Sequence, residues 1–128
     1  MIKIEHIALW TKDLERSRDF YIKYFGAKSN DKYFNPKKGL ETYFLEFDAG
    51  ARLEIMKRPE VQEAEHQTFL IGFTHLAFSL GSKAKVDELT ARLVKDGYKK
   101  MDGPRTTGDG YYESQMLDPD GNPIELTV

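Results

Sequence analysis

The chain has 128 residues, no cysteine, and 19 basic against 21 acidic side chains for a formal charge of −2. That length can bury a core without staples, and the missing thiols exclude disulfides, thiolate metal sites and a cysteine nucleophile. The interspersed charges leave no electrostatic footprint for nucleic acid, and no run approaches the roughly 18 apolar residues of a membrane span, so a cytoplasmic, soluble protein is expected.

Ile2 to Trp10 alternates in the period of a strand, with Ile2, Ile4, His6, Ala8 and Trp10 on one face. Asp13 can cap a helix whose Leu14, Ser17, Phe20, Tyr21, Tyr24 and Phe25 recur at three and four spacings before Gly26 closes it. Strands are then expected over Lys28–Phe34, Leu40–Phe47 and Ala51–Lys57, separated by Asn35-Pro36-Lys37-Lys38-Gly39 and Asp48-Ala49-Gly50. Residues 59–71 read as a charged connector, poor in apolar content, and its His66 reads as solvated.

The order then repeats. Gly72–Leu80 is a strand carrying His75, and Ser82 can cap a helix with the apolar stripe Val86, Leu89, Leu93 and Val94, ending at Gly97. Tyr98–Met101, Tyr111–Met116 and Pro123–Val128 supply three more strands, the last two joined by the turn signal Asp118-Pro119-Asp120-Gly121-Asn122. Between them, Gly103–Gly110 reads as a polar loop that is either a hairpin connection or a lid, with Arg105 available to an anionic group. Trp10, Phe44, Tyr111 and Tyr112 read equally as core or as walls of a pocket. The expected fold is therefore α+β, two βαβββ modules over about 1–58 and 72–128 in one domain.

Spacing supports the repeat. His6 and His75 lie 69 residues apart, Gly26 and Gly97 lie 71 apart, and so do Glu54 and Glu125. Two like modules related by a pseudo-twofold axis can turn equivalent faces toward each other, and the two His and two Glu then converge. Singly, a strand His is ordinarily packed or half-exposed, and a Glu among alternating apolar residues ordinarily faces solvent. Together they argue differently, because two carboxylates on a partly dry face cost several kcal/mol unless their charge is neutralised, and a divalent metal neutralises them. Imidazole and carboxylate suit Zn²⁺, Ni²⁺, Co²⁺, Fe²⁺ or Mn²⁺ alike. Four protein ligands on an ion that prefers six would leave positions for substrate oxygens.

Several separate motifs resemble the vicinal oxygen chelate superfamily, which includes glyoxalase I, bleomycin- and fosfomycin-resistance proteins and extradiol dioxygenases. They are Glu5-His6-Ile7-Ala8, Asp13-Leu14-Glu15-Arg16-Ser17, Asp19-Phe20-Tyr21 leading to Phe25-Gly26, Arg52-Leu53-Glu54, Thr74-His75-Leu76-Ala77-Phe78, and Asp118-Pro119-Asp120-Gly121-Asn122-Pro123-Ile124-Glu125-Leu126. The resemblance implies paired βαβββ modules forming a curved sheet around a cleft. Its His, Glu, His, Glu set is similar to glyoxalase I, which implies His6, Glu54, His75 and Glu125 as ligands of one divalent metal. By that resemblance the metal holds adjacent oxygens of a hemithioacetal, and a ligand glutamate shuttles a proton between neighbouring carbons, Glu125 first and Glu54 second. Bacterial glyoxalase I tends to have Arg four residues after the first His, where Trp10 stands here, so the resemblance does not carry glutathione over.

The expected function is thus a metal-dependent lyase or isomerase of glyoxalase type acting on a small hemithioacetal-like or vicinal-oxygen substrate. The alternatives are a non-catalytic protein that sequesters a drug in the cleft, as in bleomycin resistance, and a dioxygenase or transferase of the same superfamily. The resemblance also implies a homodimer whose modules pair within or across chains.

Overall fold

The computed structural model describes residues 1–64 and 69–128 and divides the chain into two units, Met1–Ala64 and Glu65–Val128. His66 lies outside the described residues. In the first unit β1 (His6–Trp10) is followed by α1 (Leu14–Phe25), the short β2 (Lys28–Ser29) and β3 (Tyr33–Asn35), then β4 (Leu40–Glu46) and β5 (Arg52–Lys57). The second unit runs β6 (Leu76–Ser79), α2 (Lys83–Lys95), β7 (Lys100–Thr106), β8 (Tyr112–Leu117) and β9 (Pro123–Thr127). The sheets are ordered β1-β5-β4-β2, with β3 also on β4, and β6-β9-β8-β7. In each the first strand pairs parallel with the last, and the other pairs are antiparallel.

Both helices form for the reasons their sequences offer. Asp13 accepts from Arg16 N at 3.1 Å and Ser82 from Lys85 N at 3.2 Å, which satisfies one otherwise orphaned donor in each first turn. Gly26 ends α1 in the left-handed region at φ 66°, donating to Ile22 O. The helical stripes cover one face of each sheet. Leu14, Phe20, Tyr21 and Tyr24 are buried, as are Tyr43, Leu45, Leu53 and Ile55 of β4 and β5; the second core holds Val86, Leu89, Leu93, Met116, Ile124 and Leu126. Each core contains one buried hydroxyl pair, Thr11 with Ser17 at 2.6 Å and Thr90 with Ser114 at 2.7 Å, so neither hydroxyl pays an unmet desolvation cost.

Several expected boundaries are corrected. The first strand starts at His6 rather than Ile2, because its partner β5 begins at Arg52 and the last rung is Arg52 N to Glu5 O at 2.9 Å. The strand expected over Lys28–Phe34 is broken in two. Ser29 opposes Leu45 and Tyr33 opposes Thr42, so one extra residue bulges out, and Asn30 Oδ1 takes the ladder bond from Phe44 N at 2.8 Å. The strand expected from Gly72 begins only at Leu76, leaving His75 just outside it, because Leu76 opposes Ile124 and β9 opens on Pro123, which has no N–H.

The largest correction concerns Gly103–Gly110. Residues 103–106 belong to β7, which bulges against β8, and the loop is only the tight turn in which Thr107 N donates to Tyr111 O at 2.7 Å. Gly103 sits at φ +75° in that bulge, where a Cβ would lie 2.5 Å from Glu113 O and 3.0 Å from Ser114 Cα. Gly103→Ala is therefore expected to lower stability by about 1–3 kcal/mol, from left-handed strain plus displaced backbone. A urea midpoint equal to that of the wild type would contradict this.

Candidate functional site

Strand alternation sends one face of each sheet under its helix and leaves the other for chemistry. In the first unit the parallel register sets His6 beside Arg52, Ala8 beside Glu54 and Trp10 beside Met56 on the face away from α1. His6 Nε2 lies 3.9 Å from Glu54 Oε1. The His6 ring meets the Phe44 ring edge-on, with centroids 5.4 Å apart and planes at 84°. The Arg52 guanidinium carbon lies 4.2 Å from the centroid of the same ring.

The second unit repeats the pair. Ala77 opposes Glu125 on β9, and His75, just before β6, reaches it with Nε2 3.2 Å from Glu125 Oε2. The side chains of Glu54 and Glu125 are only 18% and 19% exposed, whereas their histidines are 42% and 29% exposed. Each carboxylate thus sits in a partly dry setting beside an imidazole. Two ligands bound at about 2.1 Å to one ion stand about 3–4 Å apart, so both His–Glu separations fit donors to a common cation. Among the described residues, no group of three or more His, Asp or Glu side chains has the arrangement to hold a metal ion.

Glu113, absent from the sequence reading, joins the second pair. It lies on β8, opposite Thr127 and next to the Gln115–Glu125 rung. A hydrogen bond to the Glu125 carboxyl, then burial, then the repulsion of that charge push the Glu113 carboxyl up to about 7. The signal was present in the sequence, because the turn at Asp118–Asn122 fixes the β8–β9 register. Asp118 is buried and accepts from Asp120 N, Asn122 N and Asn122 Nδ2 at 2.9, 2.8 and 2.9 Å.

Other expected residues lie elsewhere. Arg105 donates to Asp102 at 2.7 Å, so its charge already has a carboxylate partner. Tyr112 shares the helix-side face with Ser114 and Met116, and its hydroxyl donates to Asp87 while Lys83 Nζ lies 5.3 Å from its ring centroid; it does not line the face that carries Glu125. Tyr111 is exposed in the turn before β8, and Trp10 is half-exposed on the same face as His6.

Two βαβββ units, each closed by a parallel pairing of its first and last strands and each carrying a His–Glu pair, define the class of fold. The chain belongs to the Glyoxalase/Bleomycin resistance protein/Dioxygenase superfamily, whose model matches residues 3–126. It is 32% identical to the uncharacterized Bacillus subtilis protein YqjT, over 98% of both chains. Among solved structures it is similar to the trypanothione-dependent glyoxalase I of Leishmania major, at 25% identity and a TM-score of 0.79, covering 99% of this chain and 86% of that one. It is also similar to glyoxalase I from Zea mays, at 25% identity and a TM-score of 0.80, covering 98% of this chain and 44% of that one. No helix among the described residues is long and apolar enough to cross a membrane.

The raised Glu113 carboxyl has a consequence for the metal-free protein. Its folded pKa lies above the unfolded one, so the stabilisation is complete below about 4.5 and is lost as pH rises through about 7. Wild-type stability is therefore expected to fall between about pH 5 and about pH 8 relative to Glu113→Gln. Parallel urea midpoints for the two proteins across that range would contradict the shared proton.

Proposed function

We propose that the protein is a divalent-metal-dependent lyase or isomerase of glyoxalase I type, with His6, Glu54, His75 and Glu125 together supplying the ligands of one ion. The observation that carries this reading is the same His–Glu pair at equivalent places in both units, its carboxylates about one-fifth exposed beside imidazole nitrogens. Sequestration of a ligand gives no reason for that duplication. Membership of the superfamily and likeness to two glyoxalase I structures support it further.

When bound, the ion supplies a Lewis acid for adjacent substrate oxygens, and Zn²⁺, Ni²⁺, Co²⁺, Mn²⁺ and Fe²⁺ all suit nitrogen and oxygen ligands. The protein's own residues do the rest. Glu125 is the general base that takes a proton from one carbon and returns it to its neighbour, and Glu54 stands second for that role. Glu113 is a further carboxyl beside Glu125, diagonally across the β8–β9 ladder. Half-buried Phe44 lays its ring against His6, and half-exposed Trp10 adds apolar surface at the far end of the same strand face, beside Met56.

The substrate class is a small hemithioacetal or vicinal-oxygen compound. Trp10 stands four residues after His6, where bacterial glyoxalase I tends to place an Arg for a glutathione carboxylate, which favours a thiol other than glutathione. We also infer a homodimer, supported by the large apolar side chains of Ile2, Phe69, Ile71 and Phe73, all left fully exposed.

Elemental analysis of untagged protein is expected to find about one divalent ion per chain, and little in the His6→Ala, His75→Ala double variant. No metal in the wild type after soaking in Zn²⁺, Ni²⁺ or Mn²⁺ would leave ligand sequestration as the function. Glu125→Gln is expected to keep its metal and lose turnover of methylglyoxal hemithioacetals by about 10²–10⁴-fold. Full activity in that variant would remove Glu125 as the base. Light scattering is expected to give a dimer. Activity regained on mixing His6→Ala with His75→Ala chains would mean that the pairs combine across subunits.

A further inference from the structure

Two charged residues outside the ligand set are joined to it in the first unit. His6 Nδ1 hydrogen-bonds Glu5 Oε2, and the other Glu5 oxygen, Oε1, pairs with Arg52 Nη2 at 2.5 Å. The same two residues meet through backbone, Arg52 N donating to Glu5 O at 2.9 Å. Arg52 is itself held, its guanidinium over the Phe44 ring and its Nε buried with no hydrogen-bond partner among the described residues. Glu5 is thus fixed by a cation and by its own peptide, and it fixes His6.

The chemistry of a neutral imidazole gives this arrangement its meaning. One ring nitrogen carries the proton and the other the lone pair, and a carboxylate accepting from Nδ1–H leaves Nε2 as the donor to a metal. Nε2 is the nitrogen that faces Glu54, at 3.9 Å. Glu5 touches the opposite side of the ring, so it is not a fifth ligand. Exposed ion pairs are individually weak, and Glu5 is 53% exposed; here one carboxylate answers two donors whose places are set by adjacent strands.

We propose that Glu5, held in place by Arg52, is a positioning residue that fixes His6 as its Nδ1–H tautomer and aims Nε2 toward Glu54 and the metal. The device belongs to one module only. The residue before His75 is Thr74, and Pro123 stands two residues before Glu125, where Arg52 stands before Glu54. Neither is charged. The metal half of the inference rests on the metal-binding reading above, whereas the tautomer half stands on the geometry alone.

The test uses ¹⁵N-histidine NMR of the metal-free protein with its imidazoles neutral, followed by Zn²⁺ titration against a chromophoric chelator. In the wild type the His6 signals are expected to show a protonated Nδ1 and a bare Nε2. Glu5→Ala is expected to shift them toward the Nε2–H form and to weaken Zn²⁺ binding by about 10–100-fold. Glu5→Gln, whose amide oxygen still accepts, should recover most of the tautomer and part of the affinity. Thr74→Ala should change neither. An unchanged His6 tautomer in Glu5→Ala overturns the proposal whatever the metal does, and so does equal Zn²⁺ affinity in Glu5→Ala and wild type. A wild type that binds no Zn²⁺ while Glu5 still sets the tautomer would sink the metal-binding reading and uphold the positioning role.

Discussion

Each unit is closed by one parallel strand pairing, β1 on β5 and β6 on β9. Parallel neighbours cannot be joined by a hairpin; the chain must leave the sheet and return, and here it does so through a helix and the intervening antiparallel strands. The loop-closure entropy of that excursion is offset by apolar burial under the helix, where Tyr21, Leu45 and Ile55 in one unit and Leu93, Met116 and Ile124 in the other are fully enclosed. The same pairing makes the site possible. It sets residue 6 next to residues 52 and 54 and residue 75 next to residue 125, neighbours that sequence distance alone would never suggest.

Once the pairing is set, the pleat assigns roles without further choice. Leu53 and Ile55 go under the helix, so Arg52 and Glu54 go to the opposite face; Ile124 and Leu126 do the same for Glu125. A carboxylate placed this way is partly shielded by its neighbours. The two units answer that cost with the same partner, an imidazole, and then diverge. In the first, Glu5 and Arg52 surround His6 with compensating charge. In the second, Glu113 adds another carboxylate beside Glu125 and its proton is retained to about neutral pH.

Much of this was legible in the chain. The caps Asp13 and Ser82, the glycine after the first helix, the Asp118–Asn122 turn and the alternation around Glu54 and Glu125 are local signals. Each depends on residues within a few positions of one another, so the order strand, helix, three strands could be read twice, and with it membership of the superfamily. The motif-bearing His and Glu residues were legible for the same reason.

Strand ends and second neighbours were not legible, because both depend on a partner far away in sequence. Ile2 and Gly72 alternate well enough to be strand residues, yet β5 and β9 offer no rung to pair with them. Gly103 to Thr106 has the composition of a loop, and only the β8 edge turns it into strand. Arg105 and Tyr112 looked available until the fold supplied Asp102 and Asp87. Glu5 and Arg52 stand in their motifs only as neighbours of His6 and Glu54, and Glu113 stands in none; their charged partners are supplied from across the strand. By itself the sequence determined the order of the elements and the repeat, since those follow from local backbone preference and periodicity. Which charged group meets which was decided only by tertiary structure, through strand register, because hydrogen bonds and ion pairs act over a few ångströms in space and not along the chain.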